Sequence, residues 1–373
     1  MTFELLTVDA SGARRGRLHT PHGTVETPVF LPCATVASVK TLSPRELTEV
    51  GVQVVLCNTY HLMLRPGAEV VAQLGGLHRF IGWPGPILTD SGGYQIFSLA
   101  PLGRVTDEGV LFRSHIDGSR LFLSPEQAVA IQEALGADII MPLDECLPYP
   151  VQYEAARCSL ERTLRWAARS REVVKAQGVG LFGIVQGGMF ADLRSRAVER
   201  LTALEFDGYA VGGLSVGEPK AEMARVLTAT APLLPKDRPR YLMGVGTPGD
   251  LLRGIEVGMD IFDCVIPTRH GRRGELFTSA GRLSIKAARY AADARPVDPE
   301  CACYTCRHFS RAYLRHLFLA REMLGLRLNT LHNLYFYCNL VDRARRAILE
   351  GSYRVFAAAQ LRRIETPVTT VDA

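Results

Sequence analysis

The chain has 373 residues, of which 47% are hydrophobic and 22% charged, a composition typical of an ordinary globular protein. This length allows one large domain or two smaller ones. No run of about 18 apolar residues occurs and no signal-peptide pattern opens the chain, so we expect neither a membrane protein nor an exported one. Nine cysteines, an odd number, indicate free thiols in a reducing cytoplasm rather than a disulfide scaffold.

The formal net charge of +5 is unevenly distributed along the chain. Residues 264–373 contain 18 Lys and Arg against 9 Asp and Glu, a net charge of +9, whereas residues 1–263 carry −4. A basic C-terminal third indicates a polyanionic partner such as a nucleic acid. The alternative is a solvated surface in a protein that uses Arg far more often than Lys, and charge alone leaves it open.

Short apolar runs alternate with amphipathic segments over most of the chain. The runs are 28–36, 52–61, 85–93, 137–145, 181–188, 208–218, 240–249 and 259–269. Continuous apolar runs are typical of buried parallel strands, and their alternation with helices predicts an α/β fold. Eight such runs favour a (β/α)8 TIM barrel over an open sheet. No G-x-G-x-x-G motif opens a helix after the first run, which disfavours a dinucleotide-binding fold.

Three other segments complete the predicted organisation. Residues 124–137 predict a helix that opens with Ser124 as N-cap and ends at Gly136, and residues 153–178 predict a longer amphipathic helix. The alternating stretch 100–123 predicts an antiparallel hairpin inserted into the barrel. We therefore expect a catalytic barrel in residues 1–290. A metal-binding helical subdomain follows in residues 291–366, packed on the barrel and completing it.

Three carboxylates, one amide and two glycines with exposed backbone end six of the predicted strands. They are Asp90, Asp144, Gln186, Gly213, Gly244 and Asp263. Each alone is more simply explained as a turn or helix-cap residue, but the carboxyl ends of barrel strands meet at one mouth, where active sites lie. An acid, an amide and backbone N–H groups suit the edge of a guanine-like base. The two further carboxylates would allow glycosyl transfer through a covalent intermediate.

Three cysteines within six residues predict a metal site. Cys301, Cys303 and Cys306 need a fourth ligand, for which His332 is the preferred candidate and His308 and His316 are alternatives. Three Cys and one His form a closed tetrahedral zinc site, which points to a structural role. The opposing interpretation is three unrelated buried thiols.

Seven motifs together resemble those of one enzyme family. They are "TDSGGYQIFSL", "DECLPYP", "IVQGG", "AVGGLSVGE", "YLMGVGTP", "DIFDCVIPTRHGRRG" and "CACYTC…H". In this order, over nearly the whole chain, they resemble the bacterial tRNA-guanine transglycosylases, also called queuine tRNA-ribosyltransferases. The resemblance implies a (β/α)8 barrel with a zinc-containing insertion. It also implies a pentosyltransferase of queuosine biosynthesis, which exchanges guanine at wobble position 34 of GUN-anticodon tRNAs (Asp, Asn, His, Tyr) for preQ1, 7-aminomethyl-7-deazaguanine. The exchange would be a double displacement through a covalent enzyme–RNA intermediate.

The resemblance also implies roles for individual residues. Asp263 would be the nucleophile that attacks ribose C1′, and Asp90 the general acid/base. The base-binding positions would be Asp90, Ser91, Tyr94, Asp144, Gln186, Gly213 and Leu214. The RNA-binding positions would be Gly244, Val245, Gly246, Thr247, Pro248, Gly249, Asp250 and a loop formed by Thr268, Arg269, His270, Gly271 and Arg272. The ligands of one structural Zn²⁺ per subunit would be Cys301, Cys303, Cys306 and His332.

The resemblance sets the expected partners as well. These are the tRNA anticodon stem-loop, guanine and preQ1, and a second copy of the chain in a cytoplasmic homodimer. Bulky residues at Leu214 to Val216 resemble the bacterial type, which takes preQ1. Two rival functions are weaker. A non-catalytic accessory relative would lack the catalytic acids that stand here, and a zinc-dependent barrel hydrolase would need a His pair at the strand ends.

Overall fold

Eight parallel strands close into a barrel in the computed structural model, which describes residues 1–99 and 102–365. In chain order the strands are β1 (Thr2–Val8), β2 (Arg14–Thr20), β3 (Gly23–Thr27), β4 (Val29–Ala34), β5 (Val55–Cys57), β6 (Ile87–Thr89), β7 (Leu102–Val105), β8 (Val110–Arg113), β9 (Arg120–Leu123), β10 (Ile139–Ile140), β11 (Gly180–Val185), β12 (Gly208–Val211), β13 (Arg240–Leu242), β14 (Ile261–Cys264), β15 (Glu275–Thr278) and β16 (Gly281–Ser284). The barrel order is β4-β5-β6-β10-β11-β12-β13-β14, and β14 pairs back with β4. Each of the eight predicted runs contributes one strand, so the predicted TIM barrel is confirmed.

Helices alternate with the barrel strands and dominate the C-terminal region. They are α1 (Pro44–Glu49), α2 (Thr59–Leu64), α3 (Ala68–Gln73), α4 (Gly76–Ile81), α5 (Gly93–Leu99), α6 (Pro125–Leu135), α7 (Tyr153–Val173), α8 (Ala191–Thr202), α9 (Lys220–Thr230), α10 (Pro248–Glu256), α11 (Ile266–Arg273), α12 (Tyr304–His308), α13 (Arg311–Leu319), α14 (Met323–Leu349) and α15 (Tyr353–Glu365). Helix α6 begins at the predicted capping box of Ser124 and Gln127 and ends at Gly136, where φ is +76°. Helix α7 ends at Val173, five residues before the predicted limit, because Val174 is extended. In the part of the chain that the structure describes, no helix combines the length and the apolar character needed to cross a membrane.

The barrel strands are buried on both faces, which explains their continuous apolar sequences. Successive side chains alternate, so that Leu31 and Leu56 lie in the inner core, whereas Phe30 and Val55 face the surrounding helices. The antiparallel sheet β1-β2-β3 closes the amino end of the barrel and adds residues such as Leu18 to the inner core. A ligand must therefore enter from the carboxyl ends of the strands.

The stretch predicted as a hairpin has a third strand. Strands β7, β8 and β9 form an antiparallel sheet between α5 and α6, with the expected turn at Asp117–Gly118 joining β8 to β9. Residues 100 and 101 of the predicted hairpin lie outside the described residues. Trp166 of α7 donates a 2.7 Å hydrogen bond to the carbonyl of Asp107, so the insertion is fastened to the outer helices.

The C-terminal helices pack directly on the barrel. The ring of Tyr337 on α14 lies 4.8 Å from that of Phe30 on β4, and its hydroxyl donates to the Gly246 carbonyl at 2.8 Å. Tyr353 of α15 donates to the Leu252 carbonyl of α10 at 2.6 Å. Helix α14 thus covers the outside of the barrel where β14 meets β4. Residue 366, the predicted end of this region, lies outside the described residues.

Candidate active site

Six predicted site residues stand at the carboxyl ends of six different barrel strands. They follow or end β6, β10, β11, β12, β13 and β14, and they are Asp90, Asp144, Gln186, Gly213, Gly244 and Asp263. Parallel strands of a closed barrel end on the same rim, so the fold gathers groups that lie up to 173 residues apart in sequence.

Asp263 is a buried carboxylate with three hydrogen-bond donors. Its Oδ1 accepts from the Tyr241 hydroxyl at 2.6 Å and from the Gly244 N–H at 2.8 Å, and its Oδ2 lies 3.5 Å from the Cys33 thiol. Burial raises the pKa of Asp263, and the hydrogen bonds from Gly244, Tyr241 and Cys33 oppose that rise. The residue is held in one orientation at the inner wall of the mouth.

Asp90 is held by a separate set of donors from the neighbouring strand end. Its Oδ1 accepts from the Thr59 N–H at 2.9 Å, and its Oδ2 accepts from Asn58 at 2.5 Å and from Gln95 at 2.7 Å. Thr59 is the first residue of α2, so a helix N-terminus faces the carboxylate. Burial raises the pKa of Asp90, these hydrogen bonds oppose the rise, and the charge of Asp263 adds to it. The charge of Asp263 therefore affects the ionisation of Asp90 across the mouth of the barrel.

Asp144 and Gln186 form a hydrogen-bonded pair. The Gln186 amide donates to Asp144 Oδ2 at 2.8 Å, and the Ser91 hydroxyl lies 3.5 Å from Oδ1. Burial raises the pKa of Asp144 to about 6, against the effect of the Gln186 hydrogen bond and with a contribution from the charge of Asp90. A carboxylate and an amide next to each other offer acceptor and donor groups to one planar ligand.

Gly213 is confined by its neighbours. Its φ is +64°, and a Cβ placed there would lie 2.4 Å from Gln186 Oε1, so a side chain is excluded on both conformational and steric grounds. The following residue, Leu214, is buried, whereas Tyr94 on α5 is 53% exposed. The structure thus places an accessible aromatic ring and a tight backbone turn near the same rim.

Little of the first predicted RNA segment reaches the surface of the single chain. Gly244 is exposed and Thr247 is half-buried, but the other five residues are buried: Val245, Gly246, Pro248, Gly249 and Asp250. Thr247 caps α10, and Asp250 forms an ion pair with Lys220. Gly244 and Thr247 are the accessible members of this segment.

The second predicted RNA segment was expected to be a loop, but it forms helix α11 (Ile266–Arg273). Pro267 in its first turn and Gly274 at its C-cap, with φ +77°, define its limits. A Cβ on Gly271 would lie 2.8 Å from the Thr330 Cα, so this glycine allows α11 to pack closely on α14 and does not make the segment flexible. The loop interpretation was wrong because glycine was read as a sign of mobility.

Helix α11 presents cationic groups without protein partners among the described residues. Arg269 and Arg273 are exposed, whereas Arg272 is half-buried, with its Nη1 and the Nδ1 of His270 buried and without hydrogen bonds. Burial lowers the pKa of Arg272, and the charges of Arg269 and Arg273 add to the effect. Like charges held together on a helix next to Asp263 indicate an anion-binding surface.

Cys301, Cys303, Cys306 and His332 lie together as predicted. Their sulfur atoms lie 3.7, 3.5 and 3.3 Å from His332 Nδ1. Tetrahedral zinc, with bonds of about 2.3 Å to sulfur and about 2.0 Å to nitrogen, places these atoms about 3.6 Å apart. His332 Nε2 lies 2.7 Å from the Phe277 carbonyl, which can only accept, so Nδ1 is the free ligand nitrogen. The four residues fit a metal ion.

Neither alternative histidine belongs to this cluster. His308 is exposed at the end of α12, next to the Tyr304 ring, and His316 is exposed on α13.

A second group, His22, His78 and Asp138, lies at the amino end of the barrel. The two imidazole rings there stack at 3.5 Å with an interplanar angle of 13°. Each ring lies within hydrogen-bond distance of Asp138, His22 Nδ1 at 2.7 Å from Oδ1 and His78 Nε2 at 3.1 Å from Oδ2.

The donors around the two acids were missed by the sequence analysis. Tyr241, Cys33, Asn58, Thr59 and Gln95 all contact Asp90 or Asp263. Only Tyr241 carried a usable signal, since it lies in the middle of a buried strand, where a hydroxyl needs a hydrogen-bond partner. The others come from segments that become neighbours only after the barrel closes.

Comparison with known proteins identifies the family. A family model described as queuine tRNA-ribosyltransferase matches residues 9–366. A relative with that name from Syntrophobacter fumaroxidans is 60% identical over 354 residues, which cover 95% of this chain and 95% of the relative. Relatives of the same name from Desulforudis audaxviator and Geobacillus thermodenitrificans are 58% identical over 353 residues and 57% identical over 350 residues. These alignments cover 94% and 93% of this chain, and 95% and 92% of the two relatives. The chain belongs to the queuine tRNA-ribosyltransferase family.

Proposed function

We propose that this tRNA pentosyltransferase exchanges guanine at wobble position 34 of GUN-anticodon tRNAs (Asp, Asn, His, Tyr) for preQ1 in queuosine biosynthesis. The observation that carries the proposal is a pair of carboxylates, buried Asp263 and half-buried Asp90, each with its own donor set at one barrel mouth. Two acids held apart in this way suit a double displacement, in which one attacks and the other transfers protons.

In the first half of the proposed reaction, a carboxylate oxygen of Asp263 attacks ribose C1′ of nucleotide 34. The C1′–N9 bond breaks and its electron pair leaves with guanine. Asp90, whose pKa is raised, starts in its protonated form, gives guanine the proton it takes up and becomes a carboxylate. In the second half, Asp90 accepts a proton from the incoming preQ1. The freed ring nitrogen then attacks C1′ and releases Asp263. Tyr241 and Gly244 leave Oδ2 of Asp263 less constrained than Oδ1, so Oδ2 is the attacking oxygen.

Base recognition uses the second group of rim residues. Asp144 would accept from N1–H and the 2-amino group, while Gln186 and the Gly213 backbone would donate to the carbonyl oxygen. Tyr94 provides an exposed face for stacking. Ser91 orients Asp144, and Leu214 limits the space beside the base.

RNA binding uses α11 and the turn after β13. Arg269 and Arg272 would contact phosphates and bases around a flipped-out nucleotide, and Gly244 and Thr247 would approach the backbone. The partnerless cations of α11 support this assignment.

The metal is proposed to be Zn²⁺, one per chain, held by Cys301, Cys303, Cys306 and His332. Three thiolates and an imidazole favour zinc, and four protein ligands leave no position for a substrate. Zinc would stabilise residues 291–366 as a subdomain packed on the barrel and would take no part in the chemistry.

A second copy of the chain is proposed to cover exposed apolar side chains near the metal cluster. Tyr304, Leu319 and Met323 are 53%, 52% and 82% exposed. This amount of apolar exposure on neighbouring helices is typical of an interface. We place the homodimer in the cytoplasm, where its tRNA substrates are found. Sedimentation of the Leu319→Glu variant as a monomer would support the interface.

Incorporation of labelled guanine into unmodified tRNA tests the proposed exchange. Wild type should incorporate label, and preQ1 should chase it out. A denaturing gel should show an enzyme–RNA adduct that disappears in Asp263→Asn. The matched control is Asp260→Asn, which alters a buried carboxylate at the other end of β14 and should keep the adduct. An adduct that persists in Asp263→Asn would overturn the assignment of the nucleophile.

A further inference from the structure

Arg194 carries a buried charge whose hydrogen-bond partners are backbone carbonyls. It lies in the first turn of α8, its side chain is fully buried, and no ion pair links it to an acid in the described residues. Burial lowers its pKa to about 10. The charge of Glu218 opposes this fall in pKa only in part. A buried guanidinium is unfavourable unless its N–H groups are hydrogen-bonded.

The guanidinium donates to backbone carbonyls at the end of β11 and in the two loops that follow β11 and β12. Its Nε donates to the Gly188 carbonyl at 2.8 Å and its Nη1 to the Val185 carbonyl at 3.2 Å. Its Nη2 donates to the Gly212 carbonyl at 3.0 Å and lies 3.5 Å from the Gly213 carbonyl. The first loop follows β11 and the second follows β12.

These contacts surround both proposed donors to the base carbonyl. Val185 and Gly188 lie on either side of Gln186, so the guanidinium fixes the loop that carries this amide. Because the C=O and N–H of a trans peptide point in opposite directions, holding the Gly212 carbonyl directs the Gly213 N–H away from Arg194. One side chain thus sets the position of Gln186 and the direction of the Gly213 N–H.

The clearance between the two loops is small. A Cβ on Gly212 would lie 2.8 Å from Gln186 Nε2, and one on Gly213 would lie 2.4 Å from Gln186 Oε1. A shift of either loop by a few tenths of an ångström would change the distance between the amide and the backbone donor. A fork of rigid, planar N–H groups can set such a distance, whereas a single ammonium cannot reach all the carbonyls.

We propose that Arg194 is a positioning residue for base recognition, which holds the loops after β11 and β12 at the separation that one purine-type base requires. The inference rests on the proposed function and assigns the geometry of the base site to a residue that touches neither base nor RNA. It makes Arg194 a determinant of affinity for the free base.

Steady-state exchange kinetics of Arg194→Lys test this role. We expect KM for free guanine to rise roughly tenfold or more, because the variant cannot form the charge-assisted hydrogen bonds that join the two loops. KM for tRNA should rise less than KM for guanine, because α11 and the turn after β13 also bind the RNA. The value of kcat at saturating guanine should change less than about threefold, as expected for loss of uniform binding. Arg194→Gln keeps a neutral amide and should raise KM for guanine as well.

The matched control is Arg240→Lys. Arg240 is also buried, has a pKa lowered to about 10 by burial, and donates to the carbonyls of Leu234 and Pro235. It begins β13 at the opposite end of the barrel from the base site. Its replacement should lower thermal stability as much as Arg194→Lys does, but leave KM for guanine unchanged.

The outcomes separate the two proposals. If wild type incorporates no guanine, the proposed exchange fails. If wild type is active and the Arg194 variants keep wild-type KM for guanine, or change it only in step with Arg240→Lys, Arg194 is a structural residue and the inference is overturned. A selective rise in KM for guanine supports it.

Discussion

At the scale of single residues, three acids at one rim differ in what surrounds them. Asp263 and Asp90 each accept three hydrogen bonds, which favour the ionised form, whereas Asp144 has one close donor in Gln186. Asp263 and Asp144 are buried and Asp90 is half-buried, so burial and the donors together decide how readily each one ionises. This difference predicts different pH dependences for base binding and for chemistry.

Asp144 should make guanine binding sensitive to pH. Its folded-state pKa of about 6 lies above the ordinary value, so the carboxylate becomes protonated as the pH falls through about 6. A protonated Asp144 offers fewer acceptors to N1–H and the 2-amino group, and KM for guanine should approach a tenfold rise per pH unit below that point. Exchange assays over about pH 5 to 8 measure this. Asp144→Asn should have a high KM that is independent of pH, and a flat KM in wild type would contradict the assignment.

Tyr241 should contribute to the reactivity of Asp263. The Tyr241→Phe variant removes a 2.6 Å hydrogen bond from a buried hydroxyl while keeping the ring. Hydrogen bonds to charged groups contribute about 1.5–3 kcal/mol, so kcat should fall roughly ten- to hundredfold. Tyr209→Phe, on the neighbouring strand but in the outer core, should retain wild-type kcat. Equal rates for Tyr241→Phe and wild type would show that Oδ1 needs no second donor.

The acids of the site could be predicted from the sequence, but their hydrogen-bond donors could not. Asp90 and Asp263 could be predicted because each ends a recognisable strand, and strand ends meet in any barrel. Asn58 lies 32 residues from Asp90, and nothing local marks it as a partner. It looks like an ordinary N-cap of α2, yet its side chain donates to Asp90 and makes no cap hydrogen bond. Such contacts arise from closure of the barrel and cannot be read from local patterns.

At the scale of elements, the buried strands were predictable and α11 was not. The run 181–188 is apolar up to Val185 because both faces of β11 are covered. Helix α11 is short and strongly basic, and its Gly271 is required by α14, which lies about 60 residues further along the chain. The packing of α11 on α14 therefore determines that this segment is helical, although its local composition favours a loop.

The metal cluster should stabilise the junction of α12 and α14. Cys306→Ser removes one ligand, so the bound metal should fall well below one ion per chain and stability should fall by on the order of 3 kcal/mol or more. Elemental analysis and thermal unfolding measure the two effects. Cys158→Ser, which alters an exposed thiol on α7, is the control and should change neither. Full exchange activity in a folded, metal-free Cys306→Ser protein would argue against a structural requirement for the ion.

At the scale of the whole molecule, the proposed catalytic acids and the excess of positive charge lie in different parts of the chain. The acidic first part of the chain supplies the barrel and its buried acids, whereas residues 264–373 carry the excess of cations. Helix α11 begins two residues after the end of β14, so cationic side chains directly follow the proposed nucleophile. A polyanion attracted to this face is brought to the mouth that contains Asp263.

Binding of an anticodon stem-loop RNA should therefore depend on salt through α11. Arg269 and Arg273 are exposed and form no ion pair with any residue in the described part of the chain. Removing one cation that neutralises a phosphate should reduce the slope of log K against log salt by about 0.7–0.9, so Arg269→Gln with Arg273→Gln should reduce it by roughly 1.5. Fluorescence anisotropy at about 50 to 200 mM salt gives the slope. Arg238→Gln removes another exposed cation, paired with Asp237 before β13 at the closed end of the barrel, and should leave the slope unchanged. If the control reduced the slope as much as the double variant, RNA binding would depend on net charge, and α11 would lose its assigned role.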